Sequence, residues 1–185
     1  DPGKFIHVQV GSTLNQGAKD EAWGVDNVKV EIMGESPWQN MFLDTFDKNA
    51  DGWSNRAVTT CGYFGHILGG FHKFGNGAAT EKVFKIPAGS TKARVQLDFL
   101  KIDSWDGERG RVWVNGKRVW NRSLRYGEGE QVCGQGHNKW NEASYHITHV
   151  IDNPPSTIKV KVSTTLNQNA KDESFGVDNV RIDVQ

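Results

Sequence analysis

Apolar and polar residues alternate with a period of two in four stretches of the chain. Val28, Val30 and Ile32 alternate with Lys29 and Glu31, and Val180, Ile182 and Val184 with Arg181 and Asp183. Val95, Leu97 and Phe99 alternate with Gln96 and Asp98, and Ile158, Val160 and Val162 with Lys159 and Lys161. Such a period sends successive side chains to opposite faces of a strand and marks a sheet with one buried face. No window of about 12 residues carries an apolar stripe of helical period. Val114-Asn115-Gly116-Lys117 is a hairpin signal, because Asn-Gly suits the two positive φ angles of a tight turn. Roughly 8 to 10 strands with long polar loops predict an all-β fold, a jelly-roll β-sandwich.

An internal duplication sets the domain organisation. Residues 10–32 read VGSTLNQGAKDEAWGVDNVKVEI and residues 162–184 read VSTTLNQNAKDESFGVDNVRIDV, with 14 of 23 positions identical at a constant offset of 152. A match of that length is a repeated supersecondary unit. Residues 1–33 are therefore expected to be a β-hairpin arm copying the C-terminal hairpin, 34–41 a linker, and 42–185 the complete module. The arm belongs to a preceding module of a tandem array, docks on a neighbouring copy by adding strands to a sheet edge, or folds back on its own module. The first two alternatives both generate a head-to-tail polymer, with other copies of the chain as partners.

Composition narrows the class. The 185 residues include 22 Lys+Arg and 22 Asp+Glu, a formal net charge of zero, which argues against nucleic acid or an anionic membrane as a partner held by bulk charge. No apolar run approaches the roughly 18 to 20 residues of a membrane span. No charged-then-apolar leader stands at the start, so any secretion signal is expected to be already removed. Cys61 and Cys133 lie in glycine-flanked stretches without a CxxC, so they form either one disulfide, in an oxidising extracellular compartment, or two buried thiols. Asn121-Arg122-Ser123 is an N-glycosylation sequon, which fits secretion.

Carboxylates cluster in the loops. Asp47-Lys48-Asn49-Ala50-Asp51-Gly52 has the first half of a calcium loop, oxygens at positions 1, 3 and 5 and the turning glycine at 6. Position 12 is Val58 where an EF-hand has a bidentate glutamate, so a half-site completed from elsewhere, or a solvated turn, remains. Strand phase puts Asp178 on the inward side with Val180 and Ile182, and Asp26 with Val28 and Val30. An inward carboxylate is costly unless paired, hydrogen-bonded or on a metal. Asp172-Glu173 and their copies Asp20-Glu21 precede these residues, with Lys171 and Lys19 as alternative partners. Asp103, Asp106 and Glu108 form a third acidic loop, with a cation or Arg109 and Arg111 between them. Calcium is the expected cofactor.

The Asn-Gly turn also predicts a register: Val114 opposite Lys117, Trp113 opposite Arg118, Val112 opposite Val119, and Arg111 opposite Trp120. Arg111, Trp113, Arg118 and Trp120 then share the outer face, a ladder of guanidinium on indole. Such a face stacks on sugar rings, contacts another protein, or simply covers itself. No nucleophile elbow, HExxH, P-loop or dinucleotide fingerprint occurs, and His146 and His149 fall on opposite faces of a strand, so no enzyme is expected.

Phe46-Asp47-Lys48-Asn49-Ala50-Asp51-Gly52-Trp53 and Gly176-Val177-Asp178-Asn179-Val180 resemble the ends of calcium-stabilised β-jelly-roll modules, which include carbohydrate-binding domains and repeats of extracellular surface proteins. The resemblance implies one structural calcium shared by Asp47 or Asp51 with Asp178. The extra copy in the arm is similar to the donor strands of self-assembling extracellular fibres. The leading expectation is a structural subunit of an extracellular head-to-tail fibre or array, stabilised by calcium; the alternative is a calcium-dependent glycan-binding module using Trp113 and Trp120.

Overall fold

A computed structural model describes residues 7–25, 28, 37–136 and 139–185, and the chain divides into two units, 1–35 and 36–185. In the larger unit the alternating stretches become strands β1 (Gln39–Asp44), β2 (Val58–Thr60), β3 (His66–Gly69), β4 (Ala79–Lys85), β5 (Lys92–Asp103), β6 (Asp106–Val114), β7 (Lys117–Arg125), β8 (Ala143–Asp152), β9 (Thr157–Thr164) and β10 (Glu173–Val184). One antiparallel sheet has the order β2-β3-β10-β5-β8, with β1 also on β10; the other has the order β4-β9-β6-β7. The fold is the expected jelly-roll β-sandwich. β1 begins at Gln39, inside the stretch read as linker.

The inward phase of each strand supplies the core. Val95, Leu97 and Phe99 of β5 meet Ile158, Val160 and Val162 of β9 and Val112 and Val114 of β6, all buried. Phe99 stacks flat on Phe175 of β10, their rings 5.7 Å apart. Beyond Phe99 the outward residues Leu100 and Ile102 are buried too. They join Ile67 and Cys61 in a second cluster, on which Val132 and Cys133 pack. Cys61 and Cys133 form a disulfide across a sequence separation of 72.

Two β-bulges alter the expected register. The Asn115-Gly116 turn has φ of 49° and 80° and keeps Val114 opposite Lys117 and Trp113 opposite Arg118. An extra residue then enters β7 at Val119, so Val112 pairs with Trp120 and Arg111 with Asn121. The second bulge falls in β10, where Asn179 takes a φ of 50° and the pairing with β5 slips between Asp178 and Arg181. Phe175 and Val177 before it, and Val180 and Ile182 after it, are all buried. The inward phase therefore changes parity at Asp178, and that carboxylate does not share the side of Val180 and Ile182.

The described residues of the arm, 7–25 and 28, contain no strand; Asp26, Val30 and Ile32 lie outside the described residues. The arm turns at Gly17, whose carbonyl accepts the amides of Asp20 and Glu21. Val8, Val10, Leu14, Trp23, Val25 and Val28 are exposed, whereas their counterparts Val160, Val162, Leu166, Phe175, Val177 and Val180 are all core residues. An isolated two-stranded hairpin is marginal in water, and the described arm residues pair with no strand of the kind that flanks β10.

The disulfide closes a long loop over a small cluster. Replacing both cysteines, Cys61→Ala with Cys133→Ala, is expected to lower unfolding free energy by about 2 to 5 kcal/mol. Equilibrium urea denaturation measures it, and an unchanged midpoint would refute the stabilising role.

Candidate functional site

The outer face of the four-stranded sheet carries one aromatic ring over a cleft. Val112 and Val114 face the core, so Trp113 between them points outward, where it pairs with Lys161 on β9 and Arg118 on β7. Its indole Nε1 donates to Ser163 Oγ at 3.3 Å, and the Arg118 guanidinium lies 5.5 Å from its ring. The cleft, about 290 Å³, is lined by Glu81, Trp113, Gly116, Lys159, Lys161 and Ser163. Lys159 reaches Glu81 at 3.5 Å. Arg111 is on this face as well, opposite Ser163, and its Nε is buried with no hydrogen-bond partner. Cations outnumber the single carboxylate around the indole.

Trp120 is not part of this face. The bulge at Val119 turns it inward beside Gly110, where it meets Phe99 at 5.1 Å and Tyr145 at 6.0 Å. A Cβ on Gly110 would stand 2.6 Å from the Trp120 ring, so the glycine makes room for it. The four-residue ladder is thereby corrected to Arg111, Trp113 and Arg118. Asn121 of the sequon is exposed on β7, an edge strand.

The acidic loops separate into distinct places. The Asp47–Gly52 loop closes on itself: Asn49 Oδ1 accepts the Asp51 amide at 3.1 Å, and Asp51 turns to Arg56 at 3.7 Å. Asp47 accepts from the Thr45 hydroxyl at 2.8 Å and lies 3.3 Å from His66 Nδ1. Asp178 accepts its neighbour's amide, that of Asn179, at 2.7 Å. Burial, then the facing carboxylates of Asp98 and Asp47, pushes Asp178 up to about 6, against the opposing pull of that amide. Asp98 is held in turn by His146 at 2.7 Å and by the Asn179 side-chain Nδ2, which donates at 2.8 Å.

At the start of β10, Asp106, Glu108 and Glu173 converge, each offering a carboxylate oxygen within 4.8 Å of the others. They form the one group of three such ligands among the described residues. Trp105 fixes the loop: its ring packs edge-on against Phe99, and Nε1 donates to the Ser174 carbonyl at 2.8 Å. Ser104 Oγ donates to the Asp172 carbonyl at 2.7 Å, so Asp172 serves through its backbone. Burial, then Glu108, pushes Glu173 up to about 7. Asp103 faces elsewhere, accepting the Gln135 amide at 2.9 Å. Asp20 and Glu21 lie in the arm and belong to no such group among the described residues.

Lys101 and Glu142 are two of the buried charges that were not singled out from the sequence. Lys101 Nζ donates to the carbonyls of Arg125, Tyr126 and Glu128 at 3.1 to 3.4 Å. Burial lowers its pKa to about 8. Glu142 accepts the amides of Val132 and Cys133 at 2.7 and 2.8 Å and shapes the segment bearing the disulfide. Lys101 was legible, because it continues the inward phase of Val95, Leu97 and Phe99; nothing local distinguishes Glu142.

No family model matches the chain. No curated protein sequence matches it. Among solved structures it is similar to the CBM22-1–GH10 modules of the Clostridium thermocellum xylanase Xyn10B, crystallised with xylohexaose, at TM-score 0.52 and 14% identity. That match covers 79% of this chain and 28% of the xylanase chain. A mannan-recognising carbohydrate-binding module, TmCBM27, matches at TM-score 0.48 and 11% identity, covering 81% of this chain and 99% of that one. The C-terminal CBM6 of LamC from Zobellia galactanivorans matches at 0.43 and 10%, covering 78% and 98%. At such identities the likeness concerns the fold.

Asp178 yields a pH test. Its folded pKa is raised, so between about pH 4 and 6 the folded state holds more protons than the unfolded state, and its contribution to stability falls as pH rises. Asp178→Asn keeps an acceptor for Asn179 and removes the charge facing Asp98 and Asp47. In excess chelator it is expected to melt higher than the parent at pH 7 to 8, with the difference gone below about pH 4. A variant that melts lower at pH 7 would refute this account.

Proposed function

We propose that the module is a non-catalytic glycan-binding domain of the extracellular space that holds its ligand on the outer face of the four-stranded sheet. The observation that carries this reading is Trp113, half-buried and outward-facing beside a cleft of about 290 Å³ lined with hydrogen-bonding side chains. A flat indole offers a stacking surface for a sugar ring, and Ser163 already fixes its orientation. Fold-level likeness to carbohydrate-binding modules supports the class. Arg111, Arg118, Lys159 and Lys161 around the ring favour glycans bearing carboxylate or sulfate groups, and the disulfide fits an oxidising compartment.

Affinity electrophoresis through polygalacturonate, sulfated glycans and neutral mannan tests this. Retardation in the acidic gels is expected, and Trp113→Ala should weaken binding by roughly 2 kcal/mol, near thirtyfold in Kd, without changing the fold. Trp120→Ala should instead destabilise the sandwich, because that ring packs on Phe99. Unchanged retardation of Trp113→Ala, or no retardation of the parent, would overturn the assignment.

A second reading rests on a different observation. The exposed arm residues repeat the sequence of core residues in β9 and β10. An arm that adds strands to another copy would build a head-to-tail array, in which contacts are heterologous and open-ended. Trp23, 51% exposed, corresponds to Phe175, which is fully buried. Sedimentation velocity is expected to show concentration-dependent polymers for the parent chain and monomers for Trp23→Asp. A monomeric parent, or polymers that persist in the variant, would eliminate this reading.

A further inference from the structure

We propose that Asp106, Glu108 and Glu173 bind a hard divalent cation of the calcium class, which ties the β5–β6 loop to the start of β10.

Proximity is the first ground, since the three ligand atoms lie within 4.8 Å of one another. The second is independent of it. Glu173 is fully buried, and its Oε1 has no hydrogen-bond partner, while Oε2 accepts the Gln168 amide at 3.3 Å and the Asn167 amide also acts on the carboxylate. A buried carboxylate oxygen left without a donor is costly, and a cation would satisfy it. Glu108, 8% exposed, accepts the Asp106 amide at 2.7 Å and the Asn167 side-chain amide at 3.3 Å. These bonds orient its carboxylate without neutralising it. No described ion pair brings an arginine or lysine to any of the three. Arg109 and Arg111, the alternative partners, do not fill the role.

The donor set selects the metal class. Three carboxylates with no histidine or cysteine suit a hard, oxygen-seeking ion. Their loop-borne, irregular arrangement suits calcium better than the strict octahedron of magnesium. Asp106 is exposed and provides the entry side, where water completes the coordination shell. The internal copy keeps three of the residues around Glu173: Asn167, Gln168 and Glu173 correspond to Asn15, Gln16 and Glu21, while Asn169 corresponds to Gly17.

The test uses the full chain without glycan, so its outcome is separate from that of the sheet face. With calcium at about a hundredfold excess over Kd, the melting temperature should rise by roughly 5 to 10 °C, and chelator should reverse it. Terbium in place of calcium should luminesce on tryptophan excitation, because Trp105 is adjacent in sequence to Asp106. Glu173→Gln should remove both responses. Asp106→Asn, at an exposed position that leaves packing intact, should weaken them at least tenfold. Asp51→Asn should leave both as in the parent. The proposal is overturned if calcium and terbium give no response, if the response survives in Glu173→Gln and Asp106→Asn, or if it disappears in Asp51→Asn.

Discussion

The larger unit depends on β10 pairing along both of its edges. One edge runs against β5 from Glu173 to Val184, and the other is shared by β3 at Gly176 and Val177 and by β1 from Val180 onward. Two strands can share that edge because the Asn179 bulge lies between them. Before the bulge, Phe175 and Val177 fill the core; after it, Val180 and Ile182 do. A strand with this many partners cannot shift register without unpairing β1, β3 and β5 together. Gly176 shows how close the packing is, since a Cβ there would stand 2.6 Å from Ile67.

That constraint governs where charge is tolerated. The same strand that buries five apolar side chains carries Glu173 at its start and Asp178 at its bulge, both largely withdrawn from solvent. Each receives a facing acidic loop, Asp106 and Glu108 at the start and Asp47 at the bulge. The two places differ in what they offer the carboxylate. Asp178 receives a backbone amide, and the neighbouring acids Asp98 and Asp47 have their own partners in His146, Asn179, Thr45 and His66. Glu173 keeps an oxygen unmatched, with two further carboxylates close by. Similar sequence signals thus lead to different chemistry, decided by which donors the surrounding loops supply.

Most of the architecture was legible because alternation and turn chemistry are local. The phase of Val95, Leu97 and Phe99, and the Asn115-Gly116 turn, translate directly into β5 and the β6–β7 hairpin. The bulges were hardly legible. Val119 looks like an ordinary strand residue, and Asn179, a residue type disfavoured in strands and tolerant of positive φ, carries only a weak local signal. Each inserts one residue and reverses every inference drawn beyond it, which is why Trp120 was placed outside and Asp178 with the core. Trp113 stands between the turn and the bulge, so its outward placement was read correctly. The grouping of Asp106 and Glu108 with Glu173 spans more than sixty residues and became visible only once Trp105 and Ser104 were seen to anchor the loop on β10.

The duplication bears on the same logic of context. Phe175 becomes a core residue because β5 supplies Phe99 beneath it, β3 closes the neighbouring edge, and Phe74 packs alongside. Trp23 occupies the equivalent place in a nearly identical sequence and is exposed. Among the described residues, the shared sequence therefore does not by itself bury Trp23 or Val25 as it buries Phe175 and Val177. Propensity within such a segment is weaker than the ladder bonds and apolar contacts that its neighbours provide. What the copy retains is a face for burial, Val10, Leu14, Trp23 and Val25, together with the polar residues Asn15, Gln16 and Glu21 that surround the acidic group in the folded version. A segment keeping both the packing residues and the charged residues of its counterpart has the chemistry to act as a β10 where strands equivalent to β5 and β3 are supplied to it.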